Sequence, residues 1–502
     1  MKNTAAAQHD AADTLWNIAE IIELRAQHTP AAAAFILPEG VATYGELVAA
    51  VHVIARKLLD SGVRAGQTLG VSMMQTPLHL LTLLAIARIG AVSVPVHGLL
   101  PEQRRRLIVQ RFGACAIVSG RPELRLEGVP FIDLSNVNLA GPVPAVPASG
   151  SVPEAPFRIV LSSGTTGEPK GVLYTHGYML QRTRKTIATC ALQPRSRLMP
   201  MDFNFSVGFV YAIGALLEGC AVVFTRMDTP VEIANAVRAQ AVTHWLLSPS
   251  IAEEIARLLN HEAAHFPALT HLRLVGATPG RRLLNTLFAR FSPNVFEHYG
   301  ATEMGPIAIA TPEILRQAPT SAGRLLPSIT AEVVDDEHQV VPVGHSGRLR
   351  LKEPGMIDRY YRNPELTAAR FRDGWYYPGD LACIDASGLL YIQGRQDDVI
   401  NVGGRKIAFR DVEDVLRTHP AVREAAAFVL DEHAGGTVLA AAFVTSAPVS
   451  EAELQTWAAS ALGPDCPEYL FQVGGLPRNL AGKLLRDQLA SLIAPTSPQA
   501  PG

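Results

Sequence analysis

The stretch Ile159 to Gly171 reads IVLSSGTTGEPKG, a short apolar strand running into three glycines, four hydroxyl residues and one lysine. Gly164, Gly167 and Gly171 let the backbone approach a polyphosphate closely. The hydroxyls of Ser162, Ser163, Thr165 and Thr166, with the backbone N–H groups around them, then bond its oxygens. Lys170 adds a point charge. The spacing is not that of a Walker A loop, because no Gly-Lys-Ser/Thr follows at the required distance. A bare Gly-Ser-Thr cluster is more often a surface turn, so the weight of this one depends on what accompanies it.

Four more strings carry chemistry. Tyr299-Gly300-Ala301-Thr302-Glu303 offers a flat ring that can stack on a base and a carboxylate that can supply a hard oxygen ligand to Mg²⁺. Gly374 to Asp380, GWYYPGD, ends in a carboxylate, which accepts hydrogen bonds and cannot donate them, a match for a vicinal diol. Gly394-Arg395-Gln396-Asp397-Asp398 leads to the glycine pair Gly403-Gly404. Leu476 to Lys483, LPRNLAGK, ends in a lysine suited to the charge that builds on phosphoryl oxygens as a carboxylate attacks them. Taken singly, YGATE is a turn followed by a helix start, Pro-Gly-Asp is a turn and a C-terminal lysine is a solvated surface group.

Together and in this order the five strings resemble the adenylate-forming superfamily: acyl- and aryl-CoA ligases, peptide-synthetase adenylation domains and luciferases. The resemblance runs from about Ile18 to Leu489. It implies an ATP site in which Ser162 to Gly167 and Lys170 hold phosphates and Gly276 and Ala277 flank adenine. Tyr299 lies against the adenine, with Gly300 beside it, Thr302 is at the α-phosphate and Glu303 is at Mg²⁺. Asp380 takes the ribose hydroxyls with Arg395 nearby, and Asp397 is an interdomain hinge. Gly403 and Gly404 line a thiol tunnel, although the proline usual after that loop is missing from AFRDVE. Lys483 bridges the substrate carboxylate and the α-phosphate, which makes Lys483, Thr166 and Glu303 the catalytic candidates.

Pro200 to Ser206 occupies the place where the family lines its acyl pocket. Phe203-Asn204-Phe205-Ser206 stands where amino-acid adenylation domains have Phe-Asp-x-Ser, so the charge that would hold a substrate ammonium is absent. A neutral amide does not compensate a buried ammonium. Asn204 resembles the asparagine of enzymes that adenylate hydroxylated benzoic acids, and two phenylalanines suit a flat guest. Phe203, Asn204, Phe205 and Gly208 are therefore the acyl-pocket candidates, with Asn204 alternatively a polar core residue bonded to backbone. The implied reaction is ATP-dependent formation of an acyl-adenylate, then transfer to coenzyme A. The alternative acceptor is a carrier protein in trans or a free amine. Intact Thr166, Glu303, Asp380 and Lys483 argue against an inactive nucleotide-binding protein.

These residues need elements to position them. Tyr44–Ser61 reads as a helix, Thr68–Met73 as a strand, Pro77–Ile89 as a buried helix stopped by Gly90, and Val92–Val96 as the next strand. Residues 139–156, rich in Pro, Ala, Gly and Ser, read as a surface linker between subdomains. Alternation resumes with a strand at Val242–Leu247, a helix at Ser250–Leu259 and a strand at Leu272–Val275. Strand–helix–strand repetition implies a parallel, doubly wound sheet, and after about Ile329 the texture turns β-rich. From about Gly394 a small domain is expected: a helix at Phe409–Thr418, strands at Ala425–Leu430 and Leu439–Val444 around Gly435-Gly436, and a helix capped by Ser450 and Glu453. The fold class is α/β (α+β overall). Residues 1–394 form a large adenylation domain of doubly wound sheets with a β-rich subdomain, and residues 395–502 a small mobile α+β lid carrying the lysine.

Bulk properties agree with this assignment. A chain of 502 residues exceeds one compact core, and 48% hydrophobic with 18% charged residues is ordinary for a globular enzyme. Lysine and arginine total 44 against 46 acidic residues, which leaves no electrostatic footprint for nucleic acid or an anionic membrane. The N-terminus lacks the basic start and apolar run of a secretory signal. No stretch reaches the roughly 18 apolar residues of a membrane span. Five scattered cysteines without Cys-x-x-Cys pairs indicate a reducing compartment and core filling rather than a metal site. The expectation is a cytoplasmic monomer or homodimer using ATP, Mg²⁺, a small carboxylic acid and coenzyme A.

Overall fold

The computed structural model describes residues 16–162, 169–225, 229–259, 266–402, 405–431, 437–479, 482 and 484–490. Its contacts divide the chain into two compact units, one of residues 1–328 and 353–371, the other of residues 329–352 and 372–502.

The first unit holds two sheets. In one, the order is Phe131–Asp133, Ala114–Ser119, Thr68–Val71, Val92–Pro95, Pro156–Ser162 and Lys170–Thr175. All pairs are parallel except the last, in which Ser162 lies opposite Lys170. In the other, Ala33–Leu37, Ala221–Val223, Arg197–Met199, His244–Leu247, His271–Val275 and Val295–Ala301 run parallel. Antiparallel strands Gly40–Thr43 and Gly305–Ala310 extend its ends. Buried strands of a parallel sheet need apolar residues on both faces, and Val295, Leu272, Leu274, Trp245 and Val222 supply them.

One apolar core joins the two sheets through five helices: Ile18–His28, Tyr44–Asp60, Pro77–Arg88, His176–Ala188 and Ser206–Leu217. Tyr44–Asp60 starts on a complete capping box between Thr43 and Glu46. Pro77–Arg88 begins with Thr76 capping the His79 N–H and proline in the first turn, and every residue from His79 to Arg88 is buried. A helix apolar all round belongs inside a protein. The helix expected from Ser250 runs Pro249–Leu258, and the strand, helix and turn order expected for this half holds.

Two expectations need revision here. Residues 139–155 form no helix or strand and lie largely at the surface, as expected, but they join two strands of one sheet rather than two subdomains, and they are tied down. The buried Arg88 donates to Val146 O (3.0 Å) and Pro147 O (2.6 Å), Asn17 Nδ2 donates to Ser149 Oγ at 2.8 Å, and the Ser149 N–H reaches Glu20 at 3.0 Å. The segment is a strap whose carbonyls satisfy a buried guanidinium. Likewise only Cys190 and Cys220 are core residues; Cys115 is exposed and Cys383 and Cys466 are half-buried.

The second unit is β-rich. Thr330–Val334, Gly347–Lys352, Asp380–Ile384 and Leu389–Arg395 pair antiparallel in that order. Val399–Val402 and Arg405–Ala408 make a hairpin, and Val422–Asp431, Thr437–Thr445 and Tyr469–Gln472 a small sheet. The helix Phe409–Thr418 buries Val412 and Leu416, and Glu451–Leu462 buries Leu454 and Ala458, against Phe443 and Leu470. Ser450 caps the latter helix, whereas the Glu453 carboxylate lies 3.7 Å from His419 Nε2. Gly435 and Gly436 lie outside the described residues.

Candidate functional site

In the first unit the expected chemistry converges on the strand Val295–Ala301 and the turn after it. YGATE is not a helix start: Tyr299, Gly300 and Ala301 end the strand, and Gly305–Ala310 returns antiparallel beside it. Gly300 has to be glycine, since a Cβ there would lie 2.5 Å from Gly305 O and 2.7 Å from His298 Nε2. Tyr299 is half-buried.

The turn is held by its backbone. Thr175 caps the helix His176–Ala188, and successive turns of that helix present Tyr178, Arg182 and Lys185. Tyr178 Oη donates to Glu303 O (2.8 Å), Arg182 Nη1 to Thr302 O (2.6 Å) and Lys185 Nζ to Met304 O (2.9 Å). Tyr174, on the strand Lys170–Thr175, also donates to Thr302 O at 2.5 Å, and its hydroxyl lies 3.0 Å from Ser206 Oγ. Three consecutive carbonyls are thereby fixed. Lys185 completes its bonding on Glu353, at 2.6 and 2.8 Å from the two oxygens, and Ser328 adds a hydroxyl at 2.5 Å. Burial lowers the Lys185 pKa against the opposing pull of Glu353.

This frame aims one side chain. Glu303 is 5% exposed, and its Oε1 accepts the Tyr360 hydroxyl at 2.6 Å. Among the described residues its hydrogen bonding engages that oxygen alone, so the carboxylate is fixed in orientation with acceptor capacity left over. No group of three or more His, Cys, Asp or Glu side chains that could by itself hold a metal ion occurs among the described residues. A single carboxylate is nevertheless what Mg²⁺ needs when substrate phosphates and water fill its other positions. The donor set fits the ion on those terms.

Strand Val295–Ala301 also carries His298, fully buried with Nδ1 2.9 Å from the Tyr211 hydroxyl. Arg273 Nη1 donates to that same hydroxyl at 3.0 Å, which directs the tyrosine proton to His298 and leaves the imidazole neutral with its own proton on Nε2. Burial, reinforced by Arg273, Arg182 and Lys185, holds the His298 pKa well below the ordinary histidine value.

The acyl-pocket candidates surround the start of helix Ser206–Leu217. Phe203 is fully buried, edge-on to His79 (5.7 Å) and Phe224 (5.9 Å), while Phe205 is half-buried. Asn204 Nδ2 donates to Met73 O (3.0 Å) and Asp202 Oδ1 (2.8 Å). A Cβ on Gly208 would sit 2.2 Å from Met201 O, so the helix crosses the segment Met201–Asp202 only through a glycine. His97 accepts the Leu99 N–H on Nδ1 (3.1 Å), which places its proton on Nε2, 3.2 Å from Asp202 Oδ2. Burial opposes ionisation of Asp202, but His97 and the Asn204 N–H outweigh it and hold the carboxyl below its ordinary value.

The remaining candidates divide as follows. Gly276, in the left-handed region at φ +97°, and Ala277 are exposed just beyond strand His271–Val275. Lys170 begins its strand, half-buried. In the second unit, Asp380 is buried and accepts Arg395 Nη1 at 2.7 Å, and that same nitrogen donates to Pro378 O at 3.1 Å. Asp397 lies in the short helix Gln396–Asp398, and Ser162 ends strand Pro156–Ser162. Ser163, Gly164, Thr165, Thr166, Gly167, Gly403, Gly404 and Lys483 lie outside the described residues. Tyr174, Tyr178, Arg182, Lys185, Tyr360 and Glu353 were not legible as site residues, because each acts through a long-range contact and none belongs to a motif.

The sequence profile described as AMP-binding enzyme matches residues 22–361, and that described as AMP-binding enzyme C-terminal domain matches residues 411–483. The chain belongs to the AMP-binding enzyme family. This AMP-binding enzyme is 28% identical to a linear gramicidin synthase of Brevibacillus parabrevis over 94% of its own length, and spans 10% of that much longer relative. It is equally, 28%, identical to 4-chlorobenzoate–CoA ligase of an Arthrobacter species, with 94% of each chain covered. Among solved structures it is similar to o-succinylbenzoate CoA synthetase of Bacillus subtilis in complex with its acyl-adenylate intermediate. That match has a TM-score of 0.85 at 26% identity, with 93% of this chain and 97% of the other covered. No helix among the described residues is long and apolar enough to cross a membrane.

Proposed function

We propose that this AMP-binding enzyme is an acid–thiol ligase that activates an aromatic carboxylic acid with ATP and transfers the acyl group to coenzyme A. The observation that carries the reading is Glu303: a buried carboxylate steered by Tyr360, on a turn whose three carbonyls are pinned by one helix and one strand. Such rigidity is what a phosphoryl-transfer site requires, since catalysis there is mostly positioning and charge stabilisation. The family match along the chain and the benzoate-type acids named in two of its relatives support the choice of acid and acceptor.

In the first step the acid's carboxylate oxygen attacks the α-phosphorus, the bond from that phosphorus to the bridging oxygen breaks, and pyrophosphate leaves. Tyr299 packs against adenine, with Gly276 and Ala277 beside it. Ser162 to Gly167 and Lys170 hold the phosphates, Thr302 meets the α-phosphate and Asp380 accepts the ribose hydroxyls with Arg395 alongside. Lys483 offsets the charge that grows between the attacking carboxylate and the α-phosphate. Glu303 would hold Mg²⁺, which when bound would supply electrostatic stabilisation of the pyrophosphate oxygens. In the second step the thiolate of coenzyme A attacks the acyl carbon and AMP leaves with the bonding electrons. For that step residues 395–502 turn about Asp397 as a lid on residues 1–394, bringing Gly403 and Gly404 to the thiol. The enzyme works in the cytoplasm as a monomer or homodimer.

ATP–pyrophosphate exchange across benzoic, fatty and α-amino acids, with AMP release followed with and without coenzyme A, tests this. Exchange with benzoate-type acids and AMP release dependent on coenzyme A are expected. Exchange confined to fatty or amino acids rejects the aromatic assignment, and exchange without thiol-dependent AMP release moves the acceptor to a carrier protein or an amine.

A further inference from the structure

Behind the segment Met201–Ser206 the first unit buries more hydrogen-bonding capacity than it uses. Arg158 projects from strand Pro156–Ser162 and is entirely inaccessible to solvent. Its Nη2 donates to Phe203 O at 2.6 Å and its guanidinium lies 4.6 Å from the centre of the Phe209 ring, but Nε and Nη1 have no hydrogen-bond partner. Asn204 Oδ1, within the segment, and Gln75 Oε1, whose amide Nε2 donates to Pro200 O at 3.0 Å, are also buried without a partner. His79 is inaccessible too. The Met74 backbone lies beside its ring, yet neither ring nitrogen makes a hydrogen bond of good geometry. A buried polar group left unmatched costs about 1–3 kcal/mol, and more when charged. Four side chains in this state, on and beside one segment, are not a folding device.

The charges define what is missing. Asp202 is the acidic partner of this neighbourhood and bonds His97 and Asn204, acting on Arg158 only through space. Burial pushes the Arg158 pKa down to about 10 despite Asp202 and Tyr174, so the guanidinium is under-compensated. It needs an oxygen acceptor in hydrogen-bond reach.

We infer that Arg158 is a specificity-determining residue, and that the acid activated here carries a second oxygen acceptor, a hydroxyl or a second carboxylate, which Arg158 binds. Asn204 Oδ1, also buried without a partner, accepts a hydrogen bond from that substituent where it is a hydroxyl. The inference rests on the adenylation reading above and sharpens its substrate.

The test is ATP–pyrophosphate exchange with benzoate, its three monohydroxy isomers and its three dicarboxylate isomers, on wild type, Arg158→Met and Arg158→Lys. The quantity compared is the ratio of kcat/KM for a substituted acid over benzoate. In that ratio the folded fraction of each preparation cancels, so a poorly folding variant still reports. At least one substituted acid is expected to exceed benzoate by about tenfold or more in wild type, a floor well below the roughly 10⁴-fold by which sites built to bond a polar group reject the analogue lacking it. The ratio should collapse toward unity in Arg158→Met and recover in part in Arg158→Lys. The winning isomers separate hydroxyl from carboxylate as the acceptor. Wild type without preference for any substituted acid, or a preference retained in Arg158→Met, overturns the subsite and leaves adenylation standing. No exchange with any acid, while benzoate and its derivatives also leave the melting temperature unmoved, removes the adenylation reading and the subsite together.

Discussion

Glu303 and Tyr360 make the sharpest test at the level of single residues. The tyrosine hydroxyl occupies one carboxylate oxygen at 2.6 Å and so leaves the other to point one way. A hydrogen bond to a charged group contributes about 1.5–3 kcal/mol. Tyr360→Phe keeps the ring packed against Phe371 (5.6 Å, edge-on) and removes that bond. The expected result is an ATP–pyrophosphate exchange that needs about tenfold more Mg²⁺ for half-maximal rate, with KM for the acid unchanged. Calorimetric titration of Mg²⁺ and ATP should show the same loss of affinity. Identical Mg²⁺ curves for the two proteins would mean the hydroxyl does not orient the carboxylate.

One helix, His176–Ala188, does most of the positioning, and its polar inner residues could not be distinguished from surface ones in the sequence. Arg182 and Lys185 look like the charged face of an amphipathic helix. Arg182 is instead buried and Lys185 half-buried, because the carbonyls of Thr302 and Met304 and the Glu353 carboxylate come to them from distant parts of the chain. Local patterns were legible where local chemistry decides: Thr43 and Glu46 announce a helix, and Thr76-Pro77 starts another. Motif residues such as Glu303 and Asp380 were legible for the same reason. Arg158, Tyr360 and Lys185 were not, since nothing in their neighbours announces burial.

Removing one partner of a buried ion pair strands the other at a cost of about 3–5 kcal/mol. Lys185→Met should therefore lower the unfolding free energy by that order, measured by urea titration, and Glu353→Gln by a smaller amount because the amide still accepts from lysine. The double variant should recover part of the Lys185→Met loss. Additive losses would show the pair to be uncoupled.

Across the whole molecule, five histidines of the first unit, four buried and His271 half-buried, share one property. Burial pushes His79 to about 3, His176 to about 4 and His271 to about 3, and lowers His244 and His298 as well. Each stays neutral when folded but takes up a proton below its ordinary value of 6.5 once unfolded. Below about pH 6.5 the unfolded chain therefore binds more protons, and stability falls as pH falls. Each histidine contributes up to about 1.4 kcal/mol per pH unit in that window. Melting temperature should be flat above pH 7 and drop steeply from pH 6 to 4; a level profile down to pH 4.5 contradicts the burial of these rings. The division of labour between the two chemical steps is a second property of the whole chain. Lys483→Ala should cost about 10²-fold in acyl-adenylate formation, the scale of losing one transition-state donor, while still converting supplied acyl-adenylate and coenzyme A to thioester. Asp397→Pro should do the reverse, sparing exchange and slowing thioester formation. Rapid-quench measurement of each half-reaction decides, and equal damage to both steps by either variant rejects the lid.

The strap of residues 139–155 has a consequence for how the chain tolerates being cut. Val143, near its middle, is 57% exposed; on one side Leu139 packs on the core, and on the other Val146 and Pro147 bond Arg88 and Ser149 bonds Asn17 and Glu20. Just beyond, strand Pro156–Ser162 enters the sheet next to Val92–Pro95, with Arg158 opposite Ser93. A protease nick at Val143 would sever the covalent connection and none of these contacts. The two fragments would remain one folded body, and the same position would serve as a seam for expressing the enzyme as two separate chains that reassemble.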